Sequence, residues 1–172
     1  MGFTPEALLV RPYVVFTSLF LHANLLHLVG NMWFLWLFGD NVEDRLGKAG
    51  FSVFYVGCGL AASLLHSVVN TGSDVPAIGA SGAISGVMGA YLIYYPHSRI
   101  KMLMWYSVVH VPAVSYIVVW FGLQIWAGVS TAGGYSNVGW FAHIGGFVFG
   151  ALFAFFHRMH GKEDIEQSIS VR

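Results

Sequence analysis

The stretch GASGAISGVMGAY, residues 79–91, contains no charged side chain and places its glycines at intervals of three and four residues. Residues at this spacing lie on one face of an α-helix. In a membrane, a face of small residues lets the backbone of a second helix approach closely. We therefore predict a buried helix at 80–95 that packs through Gly82, Gly86 and Gly89. Gly79 and Gly82 flank Ser81, which falls in the first helical turn.

The composition of the whole chain indicates an integral membrane protein. Of 172 residues, 56% are hydrophobic and 9% are charged, whereas soluble domains carry about 25% charged residues. The lipid bilayer is therefore the expected surroundings. A formal net charge of zero argues against nucleic acid as a partner. The single cysteine, Cys58, excludes an internal disulfide and a thiolate metal cluster, and we expect no cofactor.

Four further apolar stretches have the length that a membrane span needs, about 20 residues. With the glycine-rich stretch they predict an all-α bundle of five spanning helices, at 24–39, 50–70, 80–95, 112–129 and 138–156. The apolar segment 11–21 is too short to span and is interpreted as interfacial. We thus expect an extracytoplasmic or interfacial loop at 1–23, a transmembrane domain at 24–156 and a cytoplasmic polar tail at 157–172.

The basic residues predict the orientation of this bundle. Seven of the eight lysines and arginines fall on one side of the predicted spans, which the positive-inside rule makes cytoplasmic. They are Arg45, Lys48, Arg99, Lys101, Arg158, Lys162 and Arg172. The loops 71–79 and 129–137 then face the outside.

Polar residues inside a membrane mark a candidate functional site. His27 and Asn31 lie four residues apart in one predicted span, Ser81 begins another, and His143 lies early in the last. All three spans enter from outside, so at 1.5 Å per residue these groups lie within about 10 Å of the outer boundary. A serine, a histidine and an asparagine at one depth could supply a nucleophile, a general base and an oxyanion donor.

The same region indicates how the serine and histidine could meet. His143, Gly146 and Gly150 lie near one helical face, so two glycine-faced helices could pack closely. Since no carboxylate lies at this depth, we predict a serine–histidine dyad rather than a triad with an acidic member.

Four motifs, in one order, resemble the rhomboid family of intramembrane serine proteases. The resemblance is carried by HLVGN (27–31) for His-x-x-x-Asn, NVEDRLG (41–47) for Glu-x-Arg, GASGAISGVMGAY (79–91) for Gly-x-Ser-Gly, and FAHIGGFVFG (141–150) for the histidine helix. It implies a rhomboid-like helix bundle. It also implies that the family's first helix is missing from this chain and that residues 1–23 correspond to the loop after it.

The resemblance also implies roles for individual residues. Ser81 would be the nucleophile and His143 the general base, with Asn31, His27 and the Ser81 backbone N–H stabilising the oxyanion. His22 would organise the outer loop, and Glu43 and Arg45 would hold the inner end of the first span. Where some members place an aromatic residue against the catalytic histidine, this chain has Ser85.

For the whole protein, the resemblance implies cleavage of membrane-anchored proteins in or near their transmembrane helices. The active site would open to the extracytoplasmic side of a prokaryotic inner membrane, through a water-filled cavity. The oligomeric state stays open.

Three alternatives stay open from the residues alone. The chain could be a catalytically inactive rhomboid-like protein that binds transmembrane helices. It could hold haem or a metal, with His27 and His143 as paired ligands, although Ser81 and Asn31 would then have no role. A channel or transporter is less favoured, because neither an inverted repeat nor a charged pathway is present in the sequence.

Overall fold

The structure, a computed structural model, describes residues 12–70, 79–130 and 139–170, without the side chains of residues 12, 14, 15 and 161–170. This part of the chain is mostly helical and includes one small β-hairpin. In chain order the elements are α1 (Pro12–Ser18), α2 (Leu25–Val69), α3 (Ser81–Tyr94), β1 (Arg99–Met104), β2 (Ser107–Pro112), α4 (Ala113–Ser130) and α5 (Trp140–Ser170). The predicted interfacial segment thus contains a short helix.

Helix α2 covers the first two predicted spans and the segment between them, and it consists of two helical parts joined by a kink. It begins after Asn24, whose side chain accepts a hydrogen bond from the backbone N–H of His27 at 2.9 Å, a standard N-cap. Its 45 residues are interrupted at Gly47, which has φ 70° and ψ 162°. Glycine adopts a positive φ without steric cost, so the chain can change direction here. The segment 40–49 between the two predicted spans is therefore helical except at Gly47.

Helix α3 lies at the centre of the molecule, and eleven of its fourteen residues are buried. It contacts α5 backbone to backbone through four glycines that we call the glycine seam: Gly82, Gly86, Gly146 and Gly150. A Cβ added to Gly146 or Gly150 would collide with the carbonyl oxygen of Gly82 or Gly86, respectively. On another side, a Cβ on Gly82 would lie 2.6 Å from the Cβ of Ala62 in α2. Side chains larger than hydrogen therefore have no room along this seam.

Among the described residues, three helical segments are long and apolar enough to cross a membrane: α2, α4 and residues Trp140–His160 of α5. This makes the chain a multi-pass membrane protein. Helix α3 has 14 residues, or about 21 Å at 1.5 Å per residue, which is shorter than a typical hydrocarbon core of about 30 Å.

The hairpin corrects the all-α prediction. Strands β1 and β2 pair antiparallel, with Arg99 opposite Pro112 and Met104 opposite Ser107. Ile100 is buried against the core, whereas Trp105 and Tyr106 form a fully exposed tip. The apolar residues that precede α4 are thus strand and turn, and α4 starts at Ala113, next to the predicted boundary at 112.

The C-terminal end of α3 contacts both α2 and α5. The guanidinium of Arg45 in α2 lies 5.6 Å from the ring centroid of Tyr94, and the Tyr94 hydroxyl lies 3.0 Å from Nδ1 of His157 in α5. Arg158 donates to the carbonyl oxygen of Ile93 at 2.8 Å. Arg45 is thus a structural contact at this end, while Glu43 has no ion pair among the described residues. Helix α5 continues beyond residue 156 to Ser170, through the predicted tail.

Adding a methyl group within the glycine seam should destabilise the fold. We expect Gly146→Ala to lower the free energy of unfolding by about 1–3 kcal/mol, because overpacking forces backbone shifts. The measurement is the unfolding transition in detergent micelles. The matched control is Gly122→Ala in α4, where an added Cβ meets nothing within 4 Å. Equal stability of the two variants would contradict the close packing of α3 and α5.

Candidate active site

Ser81 and His143 are joined by a hydrogen bond. The Oγ atom of Ser81, the first residue of α3, lies 2.8 Å from Nε2 of His143, in the first turns of α5. This distance is within the range for proton transfer between a nucleophile and a general base, about 2.6–3.2 Å. The glycine seam begins one residue after Ser81 and three after His143, so the close approach of the helix backbones brings these two side chains into contact.

The turn before Ser81 requires glycine. Gly79 has φ +103°, and its N–H donates to the carbonyl oxygen of Ser18 at 2.9 Å. A Cβ on Gly79 would lie 2.9 Å from Cε1 of His27 and 3.5 Å from Nδ2 of Asn31. The turn therefore fixes the start of α3 against the end of α1 and brings His27 and Asn31 beside it.

Asn31 holds an unsatisfied donor at this site. The residue is buried, at 6% exposure, and its Nδ2 has no hydrogen-bond partner among the described residues. A buried unpaired polar group costs roughly 1–3 kcal/mol, so a native protein that keeps one commonly uses it. The neighbouring His27 ring packs edge-on against His22, with centroids 5.3 Å apart. His27 and Asn31 thus lie beside the turn that precedes Ser81, and His22 lies against His27.

The other ring nitrogen of His143 contacts a residue that the sequence analysis missed. Nδ1 of His143 lies 2.7 Å from Oε1 of Gln124 in α4, and Gln124 is 7% exposed. An amide oxygen accepts but does not donate, so this contact favours a proton on Nδ1 and leaves Nε2 to accept from the Ser81 hydroxyl. The signal that could have found Gln124 is a polar residue within the apolar stretch FGLQIW, which in a membrane indicates function or interhelical bonding.

Two tryptophans surround the His143 ring where the resemblance would have placed an aromatic residue at position 85. The rings of Trp120 and Trp140 each lie 6.1 Å from it between centroids, one tilted and one edge-on. Ser85 instead donates its hydroxyl to the carbonyl oxygen of Ser81 at 2.7 Å. The histidine is therefore confined by different packing.

These residues surround a cavity of about 550 Å³ that opens between the helices. Its lining includes Ser81, His143, Gln124, Asn31 and His27. Among the described residues, no three His, Cys, Asp or Glu side chains are grouped as metal ligands. Both ring nitrogens of His143 are engaged with protein groups, which disfavours its proposed pairing with His27 around a haem or metal ion.

Comparisons with known proteins identify the family of this chain. The Rhomboid domain family matches residues 10–160 of the chain. The human protein named "Presenilin-associated rhomboid-like protein, mitochondrial" is 34% identical over 88 residues, or 50% of this chain and 23% of that protein. The yeast "Rhomboid protein 1, mitochondrial" (Saccharomyces cerevisiae) is 32% identical over 106 residues, 56% of this chain and 31% of its own.

A bacterial relative is similar over a shorter region. The "Putative rhomboid protease YdcA" of Bacillus subtilis is 40% identical over 76 residues, which is 44% of this chain and 38% of that protein. The matched region spans less than two fifths of each of these three relatives. Because the family match covers most of the chain, including Ser81 and His143, the protein belongs to the rhomboid family.

Proposed function

We propose that the protein is an intramembrane serine endopeptidase that hydrolyses peptide bonds in or near transmembrane helices of membrane-anchored proteins. The observation that carries this proposal is the 2.8 Å contact between Ser81 Oγ and His143 Nε2 in a cavity among apolar helices. A serine hydroxyl is a weak nucleophile at its ordinary acidity and needs an adjacent base. His143 is placed as that base.

The chemistry follows from the positions of the groups. Ser81 Oγ attacks the substrate carbonyl while its proton passes to Nε2 of His143. As the C–N bond breaks, Nε2 gives that proton to the leaving amine, which leaves an acyl-enzyme at Ser81. A water molecule then attacks the ester, its proton passes to Nε2, and Ser81 recovers a proton as the carboxylic product departs.

The oxyanion of each tetrahedral intermediate needs donors that are already in place. The unpaired Nδ2 of Asn31 is one, and the backbone N–H of Ser81 at the start of α3 is a second, because the first four N–H groups of a helix have no intrahelical partner. His27, which lies beside the Gly79 turn, is a third. The oxyanion would supply the partner that Asn31 lacks in the free protein.

The substrate class follows from the location of the site. Ser81 starts a helix that is shorter than a typical hydrocarbon core and lies among longer apolar helices, so a substrate reaches it through the membrane or from its surface. Intact helices shield their carbonyl groups by internal hydrogen bonds, so the substrate must unwind locally before attack.

The proposed topology has five crossings: the two parts of α2 on either side of Gly47, then α3, α4 and α5. The Ser81 end of α3 faces the extracytoplasmic side, since most basic residues lie toward the opposite end. Named relatives include both mitochondrial and bacterial proteins. For this chain we propose the inner membrane of a prokaryote.

A serine-directed fluorophosphonate tests the activated serine. We expect the protein in liposomes to be labelled, and Ser81→Ala and His143→Ala to abolish labelling while the helix content is retained. The controls are Ser52→Ala and His160→Ala, which change exposed residues elsewhere on α2 and α5. Folded wild-type protein that takes no label would favour the catalytically inactive, helix-binding alternative.

Asn31→Ala separates the oxyanion role from a packing role. We expect cleavage of a fluorogenic transmembrane peptide to slow by roughly 10²–10³, as for loss of one oxyanion donor. Because Nδ2 has no partner in the described structure, stability should not fall correspondingly. The control is Asn41→Ala, an exposed position at the other end of the first half of α2. An unchanged rate, or a loss of rate that merely follows unfolding, would assign Asn31 to packing.

A further inference from the structure

His143 is held from two sides by residues of two different helices. Ser81 of α3 contacts its Nε2 atom at 2.8 Å, and Gln124 of α4 contacts its Nδ1 atom at 2.7 Å. We propose that Gln124 is a positioning residue, which fixes the tautomer and the orientation of the catalytic histidine. This inference rests on the proposed function, since it assigns Gln124 a role through His143.

The tautomer matters because a neutral imidazole has one donor and one acceptor nitrogen. With the proton on Nε2, the ring could not accept the Ser81 proton, and its bare Nδ1 would face the lone pairs of the Gln124 oxygen. With the proton on Nδ1, both contacts are favourable. The Gln124 oxygen thus selects the form of His143 that can act as a base toward Ser81.

Gln124 is itself held in place. It is nine-tenths buried and lies one helical turn after Trp120, so the two share a face of α4. Trp120 lies against the His143 ring, with centroids 6.1 Å apart. A Cβ added to Gly128, one turn further on, would lie 3.3 Å from the Cβ of Trp140 in α5. One face of α4 therefore approaches α5 and presents an aromatic ring and an amide to His143.

An amide suits this position better than a carboxylate. A buried charge in a membrane is costly unless it is paired, and His143 is neutral before the reaction. When the Ser81 proton reaches Nε2, the ring becomes a cation, and a hydrogen bond from a charged donor is roughly twice as strong as a neutral one. The Gln124 oxygen then stabilises the imidazolium while the Nδ1 proton stays in place. A neutral residue can therefore take the orienting place that an aspartate holds in a Ser-His-Asp triad.

The test compares Gln124→Met with Gln124→Glu in the full chain in liposomes. Methionine keeps an unbranched side chain of similar length but offers no strong acceptor, whereas glutamate restores an oxygen acceptor. We expect Gln124→Met to slow fluorophosphonate labelling of Ser81 by about 10²-fold, less than the roughly 10⁴-fold loss caused by a wrong tautomer in the triad. Gln124→Glu should label faster than Gln124→Met. Leu123→Ala, at the neighbouring exposed position of α4, should label at the wild-type rate.

A second measurement reports the tautomer without activity. In ¹⁵N-histidine spectra, with His143 assigned by its loss in His143→Ala, the wild type should show a protonated Nδ1 and an unprotonated Nε2. Gln124→Met should shift this signal toward a mixture of tautomers, which a purely packing role would not do. If the wild type is labelled, and Gln124→Met changes neither the labelling rate nor the His143 spectrum, the role proposed for Gln124 is wrong while the proposed function stands. If wild-type protein takes no label but its His143 signal still depends on Gln124, the proposed function fails while the orienting contact stands.

Discussion

The contact of α3 with α5 across the glycine seam is the constraint on which the site depends. Gly82 and Gly146 face each other at the start of this contact, and Ser81 and His143 lie on the same side of it. A hydrogen bond of 2.8 Å tolerates displacements of a few tenths of an ångström. A methyl group added to a glycine of the seam would push the two helices apart by a larger distance. The glycines therefore determine the geometry of the two polar residues without touching a substrate.

A second constraint comes from polar groups in apolar surroundings. Each polar side chain inside the bundle needs a partner, because lipid supplies none. His143 is bonded at both ring nitrogens, and Ser85 is bonded to a backbone carbonyl. Asn31 departs from this rule, since its Nδ2 is buried and unpaired in the described structure. In the proposed mechanism, charge on a substrate oxygen would give Nδ2 of Asn31 its missing partner, which would stabilise the transition state more than the free protein.

The parts of the fold that follow from apolar length and glycine spacing could be predicted from the sequence. Helices α3, α4 and the apolar part of α5 lie close to their predicted positions, and Ser81 and His143 are in contact. The segment 40–49 between the first two predicted spans is helical because charged residues at a membrane edge are compatible with a helix, and Gly47 changes the chain direction there. The hairpin was missed because hydropathy does not distinguish a short apolar strand from the start of a helix.

Gln124 was not predicted because it lies near the end of its helix rather than near the start. The predicted site contains polar residues near the starts of helices that enter from outside, whereas α4 is predicted to run the opposite way. Gln124 precedes Ser130, the end of α4, by six residues, or about 9 Å at 1.5 Å per residue. That is the depth expected for Ser81 and His143. If depth is measured from the outer end of every span, whether the span starts or finishes there, Gln124 falls at the same level as Ser81 and His143. Its contact with Nδ1 of His143 can be seen only in the folded structure.

The short length of α3 explains why the site is buried in the first place. Its inner end is tied by Arg45 and Arg158 to the ends of two other helices, where basic side chains favour the cytoplasmic boundary. From there, 14 residues rise about 21 Å, and a hydrocarbon core is about 30 Å thick. In the proposed orientation Ser81 therefore lies roughly 9 Å below the outer boundary. At that depth the proposed hydrolysis would need a path for water, and the 550 Å³ cavity at Ser81 is large enough to hold one.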